Sequence, residues 1–131
     1  MNLEGQTCLV TGSSRGIGRG IAEDLGAHGA EVVVNYRSSS DEAEDVVETI
    51  EADGGTAMAA QADISIEDDV EQMAAQIHDT FGEVDVLVNN AGITIDKKFE
   101  NMTRDDWETV IDVNLGGVFN CTNAFFDDIK A

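Results

Sequence analysis

The segment Thr11-Gly12-Ser13-Ser14-Arg15-Gly16-Ile17-Gly18 puts three glycines and an arginine into eight residues. It ends a short apolar run, Thr7 to Thr11, that reads as a buried strand. It opens Ile17 to His28, which reads as a helix. Glycines in that position permit a tight turn and let the main chain approach a pyrophosphate. The helix N-terminus adds unpaired N–H groups and the positive end of its dipole. Gly12, Ser14, Arg15, Gly16, Ile17 and Gly18 are therefore candidate phosphate-binding residues. The competing reading is a plain strand-to-helix turn, and the placement after a strand and before a helix weighs against it.

The elements that must position this loop alternate along the chain. Glu31 to Asn35 reads as a second, valine-rich strand. Ser39 with Glu42 forms a capping-box pattern opening a helix that runs to about Asp53, where Gly54-Gly55 ends it. Thr56 to Gln61 gives a weaker third strand. Ser65 with Asp68 suggests another capping box, opening a helix to about Phe81, and Val84 to Val88 gives a fourth strand. After an irregular stretch, Asn89 to Met102, Thr103 and Asp106 open a last helix through Trp107 and Leu115 towards Phe126. Alternating βα units predict an α/β fold: one Rossmann-like half-fold over residues 1–131, with helices on both faces of a four-stranded parallel sheet. Ligands bind beyond the carboxyl ends of such strands, so the loops after strands one and four should flank the crevice.

Two further motifs lie on those elements: Asn89-Asn90-Ala91-Gly92 directly after the fourth strand, and Asn114 inside the last helix. With the glycine spacing of Gly12, Gly16 and Gly18, they make the chain resemble the short-chain dehydrogenases/reductases over essentially its whole length. The wording of NAGITIDKKFENMTRDDWETVIDVNLGGVFN resembles the ketoacyl reductases of that family, of the 3-oxoacyl-[acyl-carrier-protein] and acetoacetyl-CoA types. The resemblance implies the strand order 3-2-1-4 and hydride transfer between a nicotinamide and a 3-keto group. It implies that Asp63 and Ile64 lie against an adenine, that Asn90, Ala91 and Gly92 pass close to the adenosine ribose, and that Asn114 belongs to the catalytic set. For Asp63 the competing reading is an ordinary surface aspartate. For Asn114 it is a polar helix residue beside Gly116-Gly117.

The cofactor can be narrowed from the four arginines, Arg15, Arg19, Arg37 and Arg104. An NAD site places an acid near the end of the second strand for the ribose hydroxyls, and here no acid occurs before Asp41. Arg15, Arg37 and the hydroxyls of Ser38 and Ser39 could instead embrace a 2′-phosphate, which arginine's planar fork suits. NADP(H) is the expected cofactor. The competing role for Arg37 is neutralising the acids that begin at Asp41, while Arg19 is expected to pair with acids from the first helix. The family's catalytic tyrosine, the lysine four residues after it and the preceding serine have no counterpart. The one tyrosine, Tyr36, is followed four residues later by Ser40 and belongs to the cofactor end. The expectation is the first half of an NADP-dependent oxidoreductase acting on an acyl-CoA or acyl-carrier-protein substrate, inactive by itself. Its open fourth strand and uncovered last helix should drive self-association as a homodimer or larger. The alternative is a half-domain that binds nucleotide or assembles but catalyses nothing.

Composition sets the remaining bounds. Cys8 and Cys121 lie far apart and read as buried free thiols, His28 and His78 are isolated, and no metal site is assigned. No apolar run approaches a membrane span and the start has no signal-peptide pattern, which implies a soluble cytoplasmic chain without a membrane partner. Twenty-seven acids against seven bases give a net charge of -20, which argues against nucleic-acid binding. The acids are spread over helix faces rather than gathered in a tail, a pattern that suggests a halophilic surface. Self-repulsion of this size destabilises a compact state in dilute buffer, and at 1 M salt the Debye length falls to roughly 3 Å. The midpoint of thermal unfolding, followed by circular dichroism, is therefore expected to rise steeply between 50 mM and 2 M potassium chloride; a flat profile would remove the salt-adapted reading.

Overall fold

The computed structural model describes residues 1–130. Strands β1 (Thr7–Val10), β2 (Glu31–Tyr36), β3 (Thr56–Gln61) and β4 (Val86–Val88) form one parallel sheet in the order β3-β2-β1-β4. Helices α1 (Gly16–Ala27), α2 (Ser40–Ala52) and α3 (Glu67–Thr80) connect them. After β4 come a 3₁₀ turn (Phe99–Asn101), α4 (Arg104–Ile111), a π-helical turn (Asp112–Gly116) and α5 (Gly117–Lys130).

Apolar residues run continuously through β1 and β2 because both sheet faces are covered. Cys8, Val10, Val32 and Val34 point to one side and pack with Ala22 of α1 and Ala43, Val46 and Ile50 of α2. Leu9 and Val33 point to the other, against Met73 and Ile77 of α3 and Phe125 of α5. Cys8 and Cys121 are both fully buried free thiols in separate clusters. Burial pushes the Cys121 thiol up to about 11; burial, with the nearby Asp85 carboxylate, also raises Cys8. No helix among the described residues is long and apolar enough to cross a membrane.

Several local expectations are corrected. Ser39 makes no side-chain cap, although it precedes α2 as expected. The Ser65–Asp68 capping box does not form either: Ile66 occupies the N-cap of α3, and the Ser65 hydroxyl turns to Asp63 Oδ1 at 2.6 Å. The Thr103–Asp106 capping box is present with both reciprocal bonds. The last helix is interrupted by the π turn, which the apolar spacing alone does not reveal. β4 begins at Val86 rather than Val84, because the Val84 N–H donates to Asp128 Oδ2 (3.0 Å) instead of joining the ladder.

Asp128 carries the attachment of α5. Its Oδ2 also meets His78 Nε2 at 2.7 Å, tying α5 to the end of α3 and the start of the β4 segment. Burial pushes this carboxyl up, but the Val84 N–H and His78 outweigh it and hold it below the usual carboxylate range. A carboxyl so depressed stabilises the fold above its unfolded value, about pH 4, and loses that contribution as pH falls through the folded value. In urea titrations, Asp128→Asn is expected to lower the midpoint at pH 7, with the deficit against wild type shrinking below about pH 4; a deficit independent of pH would exclude a role for the charge.

Candidate functional site

The site is a cleft of about 360 Å³ at the carboxyl ends of the strands. Its floor is set by two loops brought together. Thr11 Oγ1 accepts from the N–H groups of Asn90 and Ala91, each at 3.0 Å. Asn90 Nδ2 donates back to the carbonyls of Thr11 and Gly12, both at 3.1 Å. Gly12 lies at φ +61°, and a Cβ there would sit 2.9 Å from Ala91 Cα. Asn35, almost fully buried at the end of β2, accepts from the Gly12 N–H at 3.0 Å and donates to the Ala60 carbonyl at 3.2 Å. Ser13 N–H donates to the Asn35 carbonyl, and its hydroxyl to the Val10 carbonyl.

α1 starts in this cleft. Its N-cap, Arg15, supplies no side-chain cap, and the first turn holds no acid, whereas α2, α3 and α4 each carry acids there. The positive helix end is thus left to an external anion. A Cβ at Gly18 would run into the Gly12 carbonyl and the Asn90 amide, so the helix can sit this close to the loop only with glycine.

Most of the sequence-predicted residues come together here. Gly12, Ser14, Arg15, Ile17 and Gly18 line one side; Arg37, Ser38, Asp63 and Ile64 line the other; Asn90, Ala91 and Gly92 close the base. Two predicted residues are not in the lining. Gly16, at φ +63°, shapes the turn into α1. Asn114 lies in the π turn behind the cleft, its Oδ1 accepting from the Ile93 N–H (2.8 Å) and its Nδ2 donating to the Ile93 carbonyl (3.0 Å). Arg19 pairs with Glu23 and Asp45, away from the cleft. Arg37 faces Asp63 at 3.4 Å, not the acids beginning at Asp41. Sequence reasoning missed Thr11 and Asn35 as the groups that fix the loops. The available signal was a polar residue, Asn35, ending a run of three valines in a strand buried on both faces.

A doubly wound half-sheet with a glycine turn at its switch point defines a nucleotide-binding class of protein. Comparison with known proteins makes the class specific. The family profile described as short chain dehydrogenase matches residues 6–131. A 3-oxoacyl-[acyl-carrier-protein] reductase FabG of Staphylococcus epidermidis is 52% identical over 116 residues, 88% of this chain and 48% of that protein. A 3-oxoacyl-[acyl-carrier-protein] reductase of Synechocystis is 52% identical over 122 residues, 93% of this chain and 49% of that protein. A short chain dehydrogenase from Burkholderia cenocepacia, solved in complex with NADP, superposes with a TM-score of 0.91 at 39% identity, covering 97% of this chain and 52% of that one. The chain belongs to the short-chain dehydrogenase family, and it spans about half the length of the curated relatives it matches.

The loop geometry predicts a contrast between two glycine substitutions. Gly12→Ala meets both the left-handed φ, about 1–2 kcal/mol for a residue with Cβ, and the backbone of Ala91. Gly20→Ala, on the exposed surface of α1 with nothing within 4 Å, should stabilise by about 0.5–1 kcal/mol. Urea midpoints of the two variants should move in opposite directions; an unchanged or raised midpoint for Gly12→Ala would show that the Gly12 turn is not constrained as described.

Proposed function

We propose that residues 1–131 are a dinucleotide-binding domain: the NADP(H)-binding N-terminal portion of a short-chain 3-ketoacyl reductase, of the acyl-carrier-protein or acetoacetyl-CoA type. The observation that carries this reading is the pairing, in one cleft, of an uncapped, acid-free α1 terminus with Arg15 and Arg37. The end of β2 reads Asn35-Tyr36-Arg37, with no acid to accept ribose hydroxyls. The donor set fits a phosphorylated adenine nucleotide: backbone N–H groups behind glycines for the pyrophosphate, two guanidinium groups and the Ser38 hydroxyl for a 2′-phosphate. Asp63, Ile64, Asn90, Ala91 and Gly92 would surround the adenosine. Bound NADPH supplies the hydride in this class of reaction.

This chain's own residues bind and orient; they do not complete a proton relay. Tyr36 lines the cleft, and the residue four later is Ser40 rather than lysine. Asn114 is the one member of the family's catalytic set present, and both ends of its amide are engaged with the Ile93 backbone. The domain alone is therefore expected to hold cofactor without turning over substrate. Apolar side chains exposed on α4, the π turn and α5 favour a second reading, a binding or self-assembling module. Self-association would use the open edge of β4 and the exposed apolar side chains Trp107, Leu115, Phe119 and Phe126.

Calorimetric titration in 2 M potassium chloride tests the assignment. NADP(H) is expected to bind saturably and more tightly than NAD(H), with the preference reduced in Arg37→Ala. Acetoacetyl-CoA should cause no loss of NADPH absorbance above blank. A folded chain that binds neither cofactor would reduce the glycine loop to a relic and leave the assembly reading standing.

A further inference from the structure

Arg37 is an exposed member of the proposed phosphate site, its side chain 71% accessible. A long, solvated side chain is a poor specificity element unless something restricts it, because its rotamer freedom must be given up on binding. Two contacts from the end of β3 supply that restriction. Gln61 Nε2 donates to the Arg37 carbonyl at 2.9 Å, fixing the backbone from which the side chain springs. Asp63 Oδ2 faces Arg37 Nε at 3.4 Å. Asp63 is itself held: its Oδ1 accepts from the Ser65 N–H at 3.0 Å and from the Ser65 hydroxyl at 2.6 Å.

We propose that Asp63 is a positioning residue for Arg37, and through it a determinant of preference for a 2′-phosphorylated dinucleotide. The inference rests on the cofactor reading above. An exposed ion pair contributes little to fold stability, so the consequence of this one lies in orientation. With Nε turned to Asp63, the two Nη groups remain as an end-on fork, the arrangement that grips two oxygens of one phosphate. Ser65 keeps the carboxylate from rotating away. The chain of contacts Ser65–Asp63–Arg37 thus runs from the loop before α3 to the 2′ position of the bound ribose.

The sign of the effect makes the idea testable. Removing a negative charge beside a phosphate site favours phosphate binding if only through-space electrostatics act. Removing a positioning group does the reverse. Dissociation constants for NADP+ and NAD+ are measured by calorimetry in 2 M potassium chloride for wild type, Asp63→Asn, Arg37→Ala and the double variant. Any contact of residue 63 with the adenine is common to both ligands and cancels in their ratio. Asparagine keeps an acceptor for Ser65, so the loop before α3 is retained, and circular dichroism checks the fold. Ser65→Ala serves as the milder second variant.

Asp63→Asn is expected to lower the NADP+ preference by about two- to fivefold, the range of an exposed ion pair. It should leave the ratio unchanged once Arg37 is alanine. Ser65→Ala should move the ratio in the same direction by less. An unchanged or increased preference in Asp63→Asn, or an equal fall in the Arg37→Ala background, would overturn the positioning role while leaving the cofactor reading intact. A wild-type chain that binds neither dinucleotide would overturn both.

Discussion

The contact between the loops after β1 and β4 is the constraint on which the site depends. Neither loop has a regular partner of its own: β1 ends at Val10, β4 at Val88, and the chain then turns away in each case. The Thr11 hydroxyl and the Asn90 amide join them with four hydrogen bonds. Gly12 lets the two backbones approach within van der Waals limits that a side chain would violate. Asn35 then locks the Gly12 N–H from the β2 side. Buried polar groups of this kind are costly unless fully paired. Every buried side-chain nitrogen and oxygen among the described residues has a partner, so the network specifies one loop arrangement. The start of α1, and with it the free helix end, is aimed by that arrangement.

The α/β class and the parallel sheet were legible because the strands have apolar residues on both faces and each βα unit is short, whereas the 3-2-1-4 order was implied by the family resemblance. The bounds of β3, Thr56 to Gln61, follow directly from its flanking glycines and the acid-rich segment beyond. Capping was harder. Ser39, Ser65 and Thr103 each stand three residues before an acid, but only Thr103 forms the box. Ser65 has a nearer acceptor in Asp63, two residues back, and a local turn outcompetes the cap. The π turn was invisible for a different reason. Asp112 to Gly116 keeps the side-chain pattern of a helix, and the extra residue per turn shows only in the backbone. That turn is where Asn114 reaches the Ile93 N–H and carbonyl.

For the site, residue types were readable and their mutual partners were not. The glycine loop, Arg15, Arg37 and the Asn90-Ala91-Gly92 segment fall in one cleft, as their spacing implies. That Arg37 meets Asp63 rather than Asp41 depends on the register of β2 against β3, which pairs Tyr36 with Gln61 and so brings the two strand ends level. Register is a tertiary quantity. No local pattern around Arg37 contains it.

Charge connects the surface to the cleft. A net charge of -20 repels a polyphosphate ligand at long range, and any anion site on this chain must work against that field. The distribution of acids meets the problem locally: they lie in the first turns of α2, α3 and α4 and are absent from that of α1. Salt separates the two scales. At 1 M the Debye length is roughly 3 Å, so the distant acids are screened while hydrogen bonds and guanidinium contacts inside the cleft persist at their own shorter range. Added salt should then relieve the self-repulsion of the fold and the repulsion of the proposed ligand together. One highly acidic surface can thereby coexist with an anion site, provided the solvent carries the screening.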